Sequence, residues 1–84
     1  MTPEQVEALI RGGCNVAEMG VQSNGNHYDI AVVSDDFVGL NAVKRQQLLY
    51  ALVREPIAAG TMHAVNFKTY TLEEWQQAQR MGLA

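Results

Sequence analysis

The stretch Gly60-Thr61-Met62-His63-Ala64-Val65-Asn66-Phe67-Lys68-Thr69-Tyr70-Thr71-Leu72-Glu73-Glu74-Trp75 decides the fold, because it joins a strand, a helix start and a candidate metal ligand. Val65, Phe67 and Thr69 share one parity, and Ala64, Asn66, Lys68 and Tyr70 the other. That is the period of a strand with one covered face and one wetter face. Thr71 followed three residues later by Glu74 reads as a capping box, in which hydroxyl and carboxylate each satisfy a backbone N–H that a new helix leaves unpaired. Tyr70 before the cap and Trp75 at the fourth helical position are spaced as a hydrophobic staple, which fixes the angle at which the strand passes into the helix. On this reading His63 stands at the mouth of a rigid corner. Its parity with Val65 and Phe67 predicts a half-buried side chain at the strand start.

Upstream, the hairpin is the next clear signal. Ser23-Asn24-Gly25-Asn26 contains Asn-Gly, and a type I′ turn needs positive φ at both central residues. The turn joins a strand over 16–23, with Met19 and Val21 inward and Gly20 marking a bulge or close approach, to a second strand over 27–34. In the second strand Tyr28, Ile30 and Val32 share one face, and its continuous apolar end predicts a central position in the sheet. His27 opens this strand beside the turn, where exposure is expected.

The flanking segments are helical. Thr2, Pro3 and Gln5 give a cap, a proline at the first helical position and a capping box. Val6, Leu9 and Ile10 form the buried stripe, and Gly12-Gly13 should end the helix in a left-handed conformation. Asp35, Asp36 and Gly39 make a loop with Phe37 and Leu40 turned inward. Asn41 caps a helix whose apolar face is Val43, Leu48, Leu49, Leu52 and Val53. Pro56 should break or kink it, since proline lacks the N–H and clashes with the carbonyl four residues back. A short turn through Ile57 and Ala59 ends at Gly60. The last helix runs from Leu72 to about Met81.

The order is therefore αββαβα. A hairpin followed by strand, helix, strand predicts a third strand parallel to the second through a right-handed crossover, hence a three-stranded mixed sheet. With helices gathered on one face this is an α+β two-layer sandwich, one domain over residues 1–84, with the opposite sheet face open.

Composition bounds the function. An 84-residue chain that is 48% hydrophobic and 18% charged is an ordinary small globule. No apolar run approaches the ~20 residues a bilayer span needs, and the polar, acidic start Met-Thr-Pro-Glu-Gln lacks signal-peptide character, so the cytoplasm is the expected compartment. Six Lys and Arg against nine Asp and Glu leave a net charge of −3, unlike the basic stripe of a nucleic-acid binder. Cys14 cannot form an internal disulfide or build a metal centre alone, because it is the single cysteine; it reads first as a small apolar filler. No phosphate loop and no nucleophile with a local base is visible, so catalysis is not expected.

The segments Asn-Gly-Asn-His-Tyr, Asp-Asp-Phe-Val-Gly-Leu, Val-Lys-Arg-Gln-Gln-Leu-Leu-Tyr, Thr-Met-His-Ala-Val and Lys-Thr-Tyr-Thr-Leu-Glu-Glu-Trp, in this order and spacing, resemble the BolA family over nearly the whole chain, and its IbaG branch most of all. The resemblance implies a type II KH-like fold and a non-enzymatic adaptor that pairs with a monothiol Cys-Gly-Phe-Ser glutaredoxin. The two proteins would share a [2Fe–2S] cluster in iron–sulfur trafficking or in iron and stress regulation. The family's C-terminal histidine falls on His63 and the second ligand, from the loop between the first strands, on His27. Cys14 is the spare candidate. The ligand arithmetic is physically sound: a four-ligand cluster takes two thiolates from glutaredoxin cysteine and glutathione, leaving two positions for imidazoles. The isolated chain is expected to be a monomer or a weak homodimer.

Two departures stand out. Arg45-Gln46 replaces an Arg-His pair found in many relatives, and Pro56 sits where a helix-compatible residue is usual. The competing function is a KH-like, DNA-binding transcriptional regulator using Lys44 and Arg45 on phosphates. KH domains grip the backbone with Gly-x-x-Gly. The corresponding Gly39-Leu40-Asn41-Ala42 has one glycine and no basic residue.

Overall fold

The computed structural model describes residues 1–82. Its elements are α1 (Pro3–Arg11), β1 (Glu18–Asn24), β2 (His27–Val33), a 3₁₀ turn (Asp35–Phe37), α2 (Ala42–Leu52), α3 (Arg54–Ala58), β3 (Ala64–Tyr70) and α4 (Leu72–Arg80). The expected order holds, with the long helix divided in two. The break lies at Val53 (φ −115°, ψ 19°), three residues before Pro56, where the proline ring conflicts with a continuous helical ladder.

The sheet has the order β1-β2-β3, with β1 antiparallel and β3 parallel to the central β2. Tyr28, Ile30, Val32 and Phe67 point into the helix layer and are buried with Val6, Ile10, Phe37, Leu49, Val53 and Met62. Each such side chain contributes about 1.5–3 kcal/mol by leaving water. Asp29, Asn66 and Lys68 face outward and are exposed, so one sheet face is open as expected. Val43, assigned to the apolar face of α2, instead points to solvent at 63% exposure. It stands in the first turn, beyond the part of the helix that Leu49 anchors.

Both capping boxes form. Thr2 pairs reciprocally with Gln5, and Thr71 with Glu74 at 2.9 and 3.1 Å. Tyr70 and Trp75 complete the staple with ring centroids 5.2 Å apart. This corner lies at the end of β3 remote from His63, which precedes the strand; the two features are separated by the strand's full length and do not share a corner.

Three turn details differ from expectation. The hairpin centre is Gly25-Asn26, not Asn24-Gly25, since Asn24 and His27 are paired. Only Gly25 has positive φ (63°), the pattern of a type II′ turn with glycine first. α1 ends without a left-handed glycine, Gly12 having φ −65°. A Cβ on Gly13 would lie 2.2 Å from a methyl of Leu52, the far end of a partly buried side chain that can turn aside. Gly20 makes no bulge and no close approach: it pairs in register with Ala31 and nothing lies within 4 Å of a Cβ placed on it.

Candidate functional site

The hairpin and the parallel register bring the two histidines together. The tight turn makes His27 the first residue of β2, and β2 pairs with β3 so that His27 lies beside Ala64. His63 therefore falls immediately before the first paired residue of β3. The Asn26 carbonyl accepts both the His63 N–H at 2.8 Å and the Ala64 N–H at 3.2 Å, which ties the turn to the strand start. The two rings stand 6.2 Å apart, centroid to centroid, at an interplanar angle of 47°. Both residues are exposed. The expected half-burial of His63 is thus corrected: it precedes the strand and lies outside the packed layer that covers Phe67.

This spacing suits a shared metal centre. Imidazoles bound at about 2.1 Å to one tetrahedral ion put their ring centres roughly 5 Å apart, so small side-chain rotations bring the pair to ligating distance. Among the described residues no group of three or more His, Cys, Asp and Glu side chains is arranged to hold a metal ion. Both rings are open to solvent, and two imidazoles alone supply at most two of the four ligands of a tetrahedral centre.

Cys14 is not placed to join it. The thiol is buried at 5% exposure and lies near Ser34 and Asp36, at the far end of β2. Seven residues of extended chain, about 23 Å, separate Ser34 from His27. Burial pushes the Cys14 thiol above its ordinary pKa; a hydrogen bond with Ser34 opposes this, and the Asp36 charge adds to it. Such a thiol is a poor nucleophile and a poor ligand. As apolar filler it is where the sequence put it.

Asp35 and Asp36 hold loops. Asp36 Oδ2 accepts the Asn15 N–H at 2.8 Å, and Asp35 Oδ1 accepts the Leu72 N–H at 3.3 Å.

Arg45 is not free for phosphates. Its guanidinium forks onto Glu74 at 2.6 and 3.2 Å, its Nε donates to the Leu40 carbonyl at 2.9 Å, and its Cζ lies 5.8 Å from the Phe37 ring centre. The side chain is 12% exposed. Arg45 therefore binds the start of α2 to α4, leaving Lys44 as an isolated exposed cation of that turn. Sequence reading missed this pair because Glu74 already had a role in its cap, and nothing local links positions 29 residues apart. Gln46 and Tyr50 were missed likewise: Gln46 Nε2 donates to the Phe67 carbonyl at 2.9 Å and the Tyr50 hydroxyl to the Val65 carbonyl at 2.8 Å.

Comparison with known proteins agrees with this architecture. The family described as BolA-like protein matches residues 11–74. A Haemophilus influenzae protein is 35% identical over 98% of this chain and 96% of its own. The acid stress protein IbaG of Escherichia coli is 30% identical over 98% of each chain. The structure of BolA1 from Arabidopsis thaliana superposes with a TM-score of 0.77 at 26% identity, covering 84% of this chain and 92% of that one. Among the described residues no helix is long and apolar enough to cross a membrane.

Proposed function

This chain belongs to the BolA-like family, and from that premise we propose that it is a non-enzymatic cytoplasmic adaptor that binds a monothiol glutaredoxin and shares a [2Fe–2S] cluster with it through His27 and His63. One observation carries the reading: two exposed imidazoles stand 6.2 Å apart on a backbone joint where the Asn26 carbonyl accepts the His63 and Ala64 N–H groups. The cluster is cargo, with glutaredoxin cysteine and glutathione supplying the thiolate half of its ligands. The role of this chain is to present two neutral nitrogens in a fixed relation. The acid-stress name of the Escherichia coli relative accords with a role in iron–sulfur trafficking or stress regulation.

Against the nucleic-acid reading, Arg45 is committed to Glu74 and the net charge is −3.

The test is to add the protein to a monothiol glutaredoxin with glutathione, iron and sulfide, and record visible absorption and circular dichroism. The expected spectrum differs from that of the glutaredoxin homodimer, and His63→Ala and His27→Ala each return it toward the homodimer form. A spectrum unchanged by addition of the chain would refute the proposal.

A further inference from the structure

The two edges of the sheet are finished differently. The Asn24–His27 pair closes a two-residue turn and is hydrogen-bonded, so Gln22, Gly20 and Glu18 also turn their backbone groups toward β2. Met19, Val21 and Ser23 turn theirs away from the sheet. On β3, the bonds from Ala64 N–H to Asn26 and from Ser34 N–H to the Tyr70 carbonyl leave Val65, Phe67 and Thr69 facing outward. Two of those outward carbonyls are already occupied, by Tyr50 and Gln46 one turn apart on α2. Side chains thus guard the β3 edge.

The β1 edge has no such cover among the described residues. Its outward backbone groups bond no side chain, and the strand Glu-Met-Gly-Val-Gln-Ser-Asn has no lysine and no proline, the usual devices against edge pairing. Gly20, Gln22, Ser23 and Asn24 are exposed. The strand is also complementary to itself. About a two-fold axis at Val21, Met19 faces Ser23, Gly20 faces Gln22 and Glu18 faces Asn24, so no like charges oppose one another.

We infer that β1 pairs antiparallel with β1 of a second copy, joining two sheets into one of six strands. About six backbone hydrogen bonds close the contact, two at each outward-facing pair. The assembly is isologous, and it is weak because one strand edge buries little apolar surface. His63 lies across β2 from this edge and His27 stands on β2 itself, so the contact covers neither backbone and is independent of the adaptor reading.

The test uses two double variants at exposed positions of the full chain. Gly20→Lys with Gln22→Lys sets lysines opposite each other across the two-fold, and Gly20→Glu with Gln22→Lys sets opposite charges there. Within the hairpin the lysine introduced by Gln22→Lys meets Asp29 in both variants, and Gly20 has room for a side chain, so the fold is retained, as circular dichroism verifies. Sedimentation from micromolar to millimolar concentration should show a reversible dimer in the parent, weakened at least about tenfold by the lysine pair and strengthened about tenfold by the charge-paired variant. Amide exchange at Val21 and Ser23 should slow as the concentration rises. A parent that stays monomeric throughout, or a dimer indifferent to both variants, would overturn the inference.

Discussion

Replacing Glu74 separates the two interactions that meet on its carboxylate. Glu74→Gln keeps the capping oxygen that accepts the Thr71 N–H but removes the charge facing Arg45, whereas Glu74→Ala removes both. The ion pair is bidentate, with Arg45 12% and Glu74 46% exposed. Half-exposure on the acid side screens it, and the enclosed guanidinium raises its value, giving about 1 kcal/mol, the upper end for surface pairs. Loss of the reciprocal cap adds about 1 kcal/mol. For a domain of this size each kcal/mol moves Tm by about 4–8 °C, so the glutamine variant should melt about 5 °C and the alanine variant about 10 °C below the parent. The pH dependence gives the sign. The Arg45 guanidinium first, and then the Thr71 N–H, hold the Glu74 carboxyl below the ordinary carboxylate range. A depressed folded-state pKa adds stability that is fully present above the unfolded value, about 4.3, and is lost as pH falls through the folded value. Chemical denaturation of parent and Glu74→Gln should therefore differ at pH 7 and converge in acid. A glutamine variant as stable as the parent at pH 7, or a deficit unchanged in acid, would refute the ion-pair reasoning.

Gly13→Ala makes the end of the Leu52 side chain turn aside and should cost less than about 1 kcal/mol, measured by urea unfolding. Tyr50→Phe leaves the edge contact with Phe67 in place, ring centroids 5.1 Å apart, and removes only the bond to the Val65 carbonyl; about 1 kcal/mol should be lost, measured by thermal unfolding. Cys14 should resist alkylation at neutral pH and react at the rate of a free thiol once the chain is unfolded, as mass spectrometry of iodoacetamide-treated protein reports.

Most of the fold was legible because its signals are local. The capping boxes at Thr2 and Thr71, the cap at Asn41, the staple of Tyr70 on Trp75 and the period-two pattern of β2 and β3 each depend on residues within a few positions. The register that pairs His27 with Ala64 is not local. It is set by where β3 docks along β2 after the crossover through α2 and α3; the hairpin turn, whose centre is Gly25-Asn26 and not Asn24-Gly25, sets the β1–β2 register instead. The histidine pair itself came from family resemblance; parity alone put His63 half inside. Arg45 was misjudged for a related reason. A basic residue early in a helix reads as a solvated or phosphate-facing cation, and its actual acceptors, Leu40 and Glu74, come from the preceding loop and the last helix.

The most direct measurement is pulsed electron paramagnetic resonance on the reduced cluster of the mixed complex, with only the histidines of this chain labelled with ¹⁵N. Two distinct ¹⁵N couplings of ligand magnitude are expected, one lost in His27→Ala and the other in His63→Ala. A reduced cluster showing no labelled nitrogen in its coordination shell would contradict ligation by the pair.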